Sequence, residues 1–218
     1  MLTLFVAASL FAGLPGSPTS AVQNVAVGRA PMALQQIGDS SVAVFDDALA
    51  GRWSDVTAEL AGIDRRLAEM PADLPYPDVV ARMRARLRSL THNVAAHRTL
   101  AVLDDANAVT RLVLQIADGF EVTVPFDIAI LPYYGRQLQI GALGGNFAIL
   151  RRATQDLRAT WTRLEPSVIE RGDTALARRF TDIVVDLEGA RRVSDFKRLA
   201  KAELDAAALL NQQFESGG

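Results

Sequence analysis

Ala48-Leu49-Ala50-Gly51-Arg52-Trp53 and Ala142-Leu143-Gly144-Gly145-Asn146-Phe147 share one pattern: an apolar helix end, a glycine, a polar residue and an aromatic. They lie 94 residues apart, and the same interval separates Pro31 from Pro125 and Phe120 from Phe214. Proline presets the first turn of a helix, and glycine ends one by allowing a left-handed backbone. The punctuation therefore predicts one folding unit used twice. Apolar stripes also agree between the halves, but 94 residues is close to a whole number of turns at about 3.6 residues each. Any two amphipathic helices would stay in phase at that interval, so punctuation, not phase, carries the repeat.

Working outward, every long apolar pattern is helical. Leu49, Trp53, Val56, Leu60, Ile63, Leu67 and Met70 alternate steps of four and three, an a/d seam for packing on another helix. Pro71, Pro75 and Pro77 then force a turn, with Pro77 suited to the first turn of the next helix. The third helix reads as one long element over 77–118, with a stripe that rotates between His97 and Asp105 and a C-cap at Gly119. In the second half a helix starts near residue 125, and Pro132 either kinks it or marks its true first turn. Phe147, Leu150, Leu157, Trp161 and Leu164 form the next seam, with Thr154 at one seam position and Glu165-Pro166 as its stop. A last helix pair covers about 173–215, with a possible new start at Ser194 or Asp195. The expected fold is all-α: one compact bundle of about six helices in two three-helix halves, 31–120 and 124–215, after a lead-in over 22–30.

Composition agrees with packed helices. Of 218 residues, 50% are hydrophobic and only 6% aromatic. A formal net charge of −2 gives no field for nucleic acid or an anionic membrane. The absence of cysteine excludes disulfides, thiolate catalysis, Cys-ligated zinc and iron–sulfur clusters. Residues 1–21 read as a signal peptide: an apolar run from Leu2 to Leu14, helix breakers at Pro15, Gly16 and Pro18, and small residues at Thr19 and Ala21. No Lys or Arg precedes the run, which is the one missing element. Export to the periplasm or beyond is therefore expected, with no transmembrane span in the mature chain.

Gly51-Arg52-Trp53 through Met70-Pro71, and Gly145-Asn146-Phe147 through Leu164-Glu165-Pro166, resemble the helix-turn-helix of tetratricopeptide repeats. The likeness covers about 80 residues. It would imply a stacked solenoid, but a third helix of about 43 residues per half does not fit that plan, and a closed bundle is expected instead. Tyr134-Gly135-Arg136 and Trp161-Thr162-Arg163-Leu164-Glu165-Pro166 are also similar to uncharacterised exported all-helical proteins of bacteria. That similarity brings no activity with it.

Few residues suggest chemistry. His92 and His97, five apart, point about 140° from each other on a helix and do not share an ion. His97 with Asp104 on one long helix would form a buried pair or a pH-sensitive contact. Met32, Met70 and Met83 with His97 are the material of the alternative reading, a b-type haem or metal-binding bundle, although methionine at seam positions is usually core filler. The Glu-x-x-His pairs of di-iron bundles, the nucleophile elbow, the P-loop and His-Glu-x-x-His are all lacking. Arg82, Arg84, Arg86 and Arg88 form two i,i+4 pairs on separate flanks, which suit solvated helix edges or, functionally, an anionic partner. Tyr133, Tyr134 and Arg136 beside Pro132 are the strongest departure from the repeat and could rim a pocket. The expected function is binding or scaffolding in the bacterial cell envelope. It is non-enzymatic, uses no cofactor or metal, acts as a monomer or homodimer, and takes a protein or small-molecule partner near the seam between halves.

Overall fold

The computed structural model describes residues 28–216; the expected signal peptide and most of the lead-in lie outside them. The described residues are all-helical: α1 (Met32–Leu49), α2 (Trp53–Ala68), α3 (Pro77–Ala95), α4 (Thr99–Ala117), the short turn α5 (Phe126–Ala129), α6 (Leu131–Leu143), α7 (Phe147–Glu170), α8 (Thr174–Gly189) and α9 (Val193–Ser216). An isolated bridge, with Glu121 donating its N–H to the carbonyl of Gly28, ties the lead-in to the end of α4.

The expected count of about six helices is corrected to eight longer helices and one short turn among the described residues. The element expected over 77–118 is two helices. The chain turns at Ala96-His97-Arg98, where His97 takes φ 51°, a left-handed backbone that a helix does not continue through. The rotation of the apolar stripe was the mark of this turn: one straight helix shows one face to the core, whereas two helices can each present their own. The last pair divides at Ala190-Arg191-Arg192, where Ala190 takes an extended backbone. Two stops also differ. α7 runs through Pro166 to Glu170, held by buried Leu164 and Val168 on either side of the proline. Gly119 does not cap α4 with a left-handed backbone; it is small because a Cβ there would come within 2.9 Å of Pro75. Pro77 and Pro132 both occupy first turns, and Gly51 (φ 74°) and Gly145 (φ 62°) make the sharp left-handed turns their type allows.

Two apolar clusters organise the packing. The first joins α1 to α2 and α4, and α3 to α4, around Phe45, Ile63, Met83, Leu90 and Ile116, each fully buried. The second joins α6 to α7 and α9, and α8 to both α7 and α9, around Leu131, Leu157, Phe180 and Leu210. Trp161 stacks on Phe180 at 4.4 Å between centroids and donates its indole N–H to Thr181 Oγ1 at 2.9 Å, so its polar edge is satisfied. Thr154, at its seam position, returns its hydroxyl to the carbonyl of Leu150. The clusters meet where α4 packs on α6, and Ile140 of α6 belongs to the first cluster rather than the second.

Candidate functional site

α6 is the helix on which the molecule converges. Pro132 starts it at the seam, and the next four residues point to different neighbours. Tyr133 faces α4: the Arg111 guanidinium lies 5.4 Å over its ring, and Asn107 donates its side-chain amide to the Tyr133 carbonyl at 3.1 Å. Tyr134 faces α7, its phenol oxygen accepting from Thr160 Oγ1 at 3.3 Å. Gly135 faces α9. Arg136 turns to the first cluster, 5.7 Å over the Phe45 ring, under the electrostatic influence of Asp46 and Glu203. A helix advances about 100° per residue, so four successive side chains necessarily reach four directions. Tyr133 and Tyr134 nevertheless meet edge to face at 5.4 Å between centroids and line one hollow of about 310 Å³ with Gln137, Ile149 and Arg152; Arg136 does not join them.

Tyr133 also joins Asp104. Both line a groove of about 580 Å³ between α3, α4 and α6, together with Arg82, Arg86, Arg111 and Gln137. Arg86 crosses the groove wall to donate to Asp105 at 2.8 Å and reaches Asp104 at 3.4 Å. Asp105 is 2% exposed, and its other oxygen accepts from Asn93 at 2.8 Å, so the buried carboxylate is satisfied from two sides. The hydrogen bond to Asp105 is the main cause that raises the Arg86 guanidinium above its ordinary value.

His97 stands elsewhere. It is exposed at the turn between α3 and α4 and stacks on Trp53 at 4.5 Å between centroids. The expected His97–Asp104 pair is not formed, because the two residues do not share a helix and Asp104 is held by Arg86. Met70 and Met83 fill the first apolar cluster, and Met32 is 72% exposed at the head of α1. Among the described residues no group of three His, Asp or Glu side chains is placed to hold a metal ion.

Two buried acids carry more physics than any residue singled out above. Asp105 anchors the groove wall. Glu203 of α9 is fully buried, and among the described residues neither of its carboxyl oxygens has a hydrogen-bond partner. It lies so close to α6 that a Cβ on Gly135 would come within 1.9 Å of Glu203 Oε2. Burial pushes the Glu203 carboxyl well above the usual range, with Arg136 opposing. Burial likewise lowers Arg136, against the pull of Asp46 and Glu203, and raises Asp46, against Arg136. Asn107 Oδ1 is the remaining unpartnered buried side-chain atom among the described residues. It too belongs to a residue pressed on the first turn of α6. Both acids were visible as polar residues in apolar register: Glu203 follows Leu199 and Ala200 and precedes Ala206 and Ala207 on one stripe.

No family model matches this chain, and no curated protein or solved structure matches it either. The likeness to tetratricopeptide hairpins therefore has no relative behind it. No helix among the described residues is long and apolar enough to cross a membrane.

Proposed function

We propose that this chain is a non-catalytic helical binding protein of the bacterial cell envelope, taking a small ligand in the groove between α3, α4 and α6. The observation that carries this reading is the meeting of Asp104 and Tyr133, from opposite sides of the seam, in one concave site whose wall is fixed by the Arg86–Asp105 pair. The volume falls within the range of about 300–1,000 Å³ common for small-molecule sites. The apolar run at Leu2–Leu14 and the lack of cysteine support export.

The same proposal includes a structural duplication, now of four helices per unit instead of three. Support comes from matched boundaries: α1 spans 32–49 and α5–α6 span 126–143, α2 and α7 start at 53 and 147, α3 and α8 end at 95 and 189, and α4 and α9 start at 99 and 193. Each pair of numbers differs by the 94 residues read from the punctuation. The groove then sits between units, where a duplicated fold is asymmetric.

A thermal-shift screen of small metabolites tests the reading. At least one compound should raise the melting temperature of the native chain and lose that effect in Tyr133→Ala/Gln137→Ala. A library that stabilises neither protein, or both equally, sinks the groove as the site. Fractionation with N-terminal sequencing checks export: the mature chain should begin at Val22.

A further inference from the structure

Resting on the groove reading, we propose that the ligand is a small organic anion, gripped through a carboxylate or phosphate group by Arg82 and Arg111. The charge arrangement leads there. Arg86 already serves Asp105 and Asp104, so one cation answers two carboxylates. Arg82 and Arg111 line the same groove, and among the described residues neither has a carboxylate partner. Three arginines against two aspartates leave the site one positive charge in excess, in a chain whose formal charge is −2.

Arg111 is also oriented. Its guanidinium lies over the Tyr133 ring, a contact that holds the plane of the fork while leaving its N–H edge able to donate. Arg82 precedes Arg86 by one turn of α3, so it rises from the wall that the Arg86–Asp105 pair fixes. A concave site with apolar backing focuses such charge more strongly than an open surface does. Gln137 adds a neutral amide able to bond the rest of the ligand. Asp104 limits the excess, which suits a small mono- or dianion and disfavours a polyanionic strand.

Isothermal titration at low salt is the test, with sodium benzoate, succinate, citrate, glycerol 3-phosphate and inorganic phosphate as probes against the native chain, Arg82→Gln and Arg111→Gln. Both positions are exposed, so both variants should keep the native melting temperature. At least one probe should bind and weaken with added salt, and each variant should lose about tenfold or more in affinity. Binding by the carboxylates alone assigns a carboxylate ligand; binding by the phosphates alone assigns a phosphate ester. Absence of binding by all five probes, or binding that survives both variants, overturns the inference. If the stabilising metabolites are neutral or cationic yet still need Tyr133, the groove stands and the anion falls.

Discussion

The two helix groups close their interiors with opposite chemistry at positions 94 residues apart. In the first, Val109 of α4 is fully buried in an aliphatic cluster. In the second, 94 residues further on, Glu203 of α9 is just as buried, pressed on Gly135 of α6. Ser41 of α1, 94 positions before Gly135, is buried too, but its hydroxyl returns to the carbonyl of Ile37 at 2.7 Å. Ser41 is thus satisfied within its own helix. The other group holds an acid that burial pushes toward its neutral form, opposed by Arg136 of the same group. The difference teaches that a helical interior can carry a titratable group where the facing helix gives up a side chain to make room, as Gly135 does for Glu203.

Importing the acid into the first group breaks the comparison most directly. Val109→Glu should destabilise by about 3–5 kcal/mol, since it places a carboxyl in a fully buried aliphatic position. Urea unfolding measures it, and a loss under about 1 kcal/mol would mean that the first interior admits water or charge more readily than its packing suggests.

Next comes the space itself. Gly135→Ala should cost about 1–3 kcal/mol, because the new methyl would meet Glu203 Oε2 at 1.9 Å and Leu204 at 2.8 Å. In the Glu203→Ala background the same change should cost clearly less. A double-mutant cycle with no coupling would show that the carboxyl does not occupy that space.

Removing the acid sharpens the comparison in the other direction. Glu203→Met keeps an unbranched shape without the buried carboxyl, and should stabilise by about 1–2 kcal/mol at neutral pH. The pH dependence gives the sign. Burial raises the folded carboxyl above the unfolded value of about 4.3, so between those values the folded state holds a proton that the unfolded chain releases. The Glu203 contribution to stability should therefore be fullest below about pH 4 and be lost as pH rises through the folded value. In Glu203→Met that fall should flatten, and an unchanged slope would assign it to another group.

The smallest effect concerns helix starts. α7 is capped by Asn146, whose side chain accepts from the N–H groups of Ala148 and Ile149; α2 starts at Arg52 with no side-chain cap. Asn146→Ala should cost about 1 kcal/mol. Arg52→Ala should cost less, since it loses only exposed ion pairs to Asp47 and Asp55. Equal losses in thermal denaturation would erase this contrast.

Residues 77–118 show how far the linear pattern reaches. Their apolar stripe announced helix and its rotation announced a disturbance, but a single periodic signal does not separate a bend from a two-helix turn. His97 decides it by adopting φ 51° with its ring on Trp53, a contact between residues 44 positions apart. The candidate site divides likewise. Tyr133 and Asp104 were legible as unusual residues. Their meeting in one groove depends on α4 packing against α6, which no local pattern encodes.

What the sequence by itself determined is local: helix class from composition and period, a first turn at Pro77, and helix ends at Gly51 and Gly145. These follow from backbone sterics and the hydrophobic period, which act within a few residues. Only the tertiary structure decided that α3 and α4 are separate, that Arg86 serves Asp105, and that the Glu203 carboxyl has no hydrogen-bond partner among the described residues. Charge, burial and hydrogen bonding belong to the neighbours a side chain acquires, and those neighbours came from other helices.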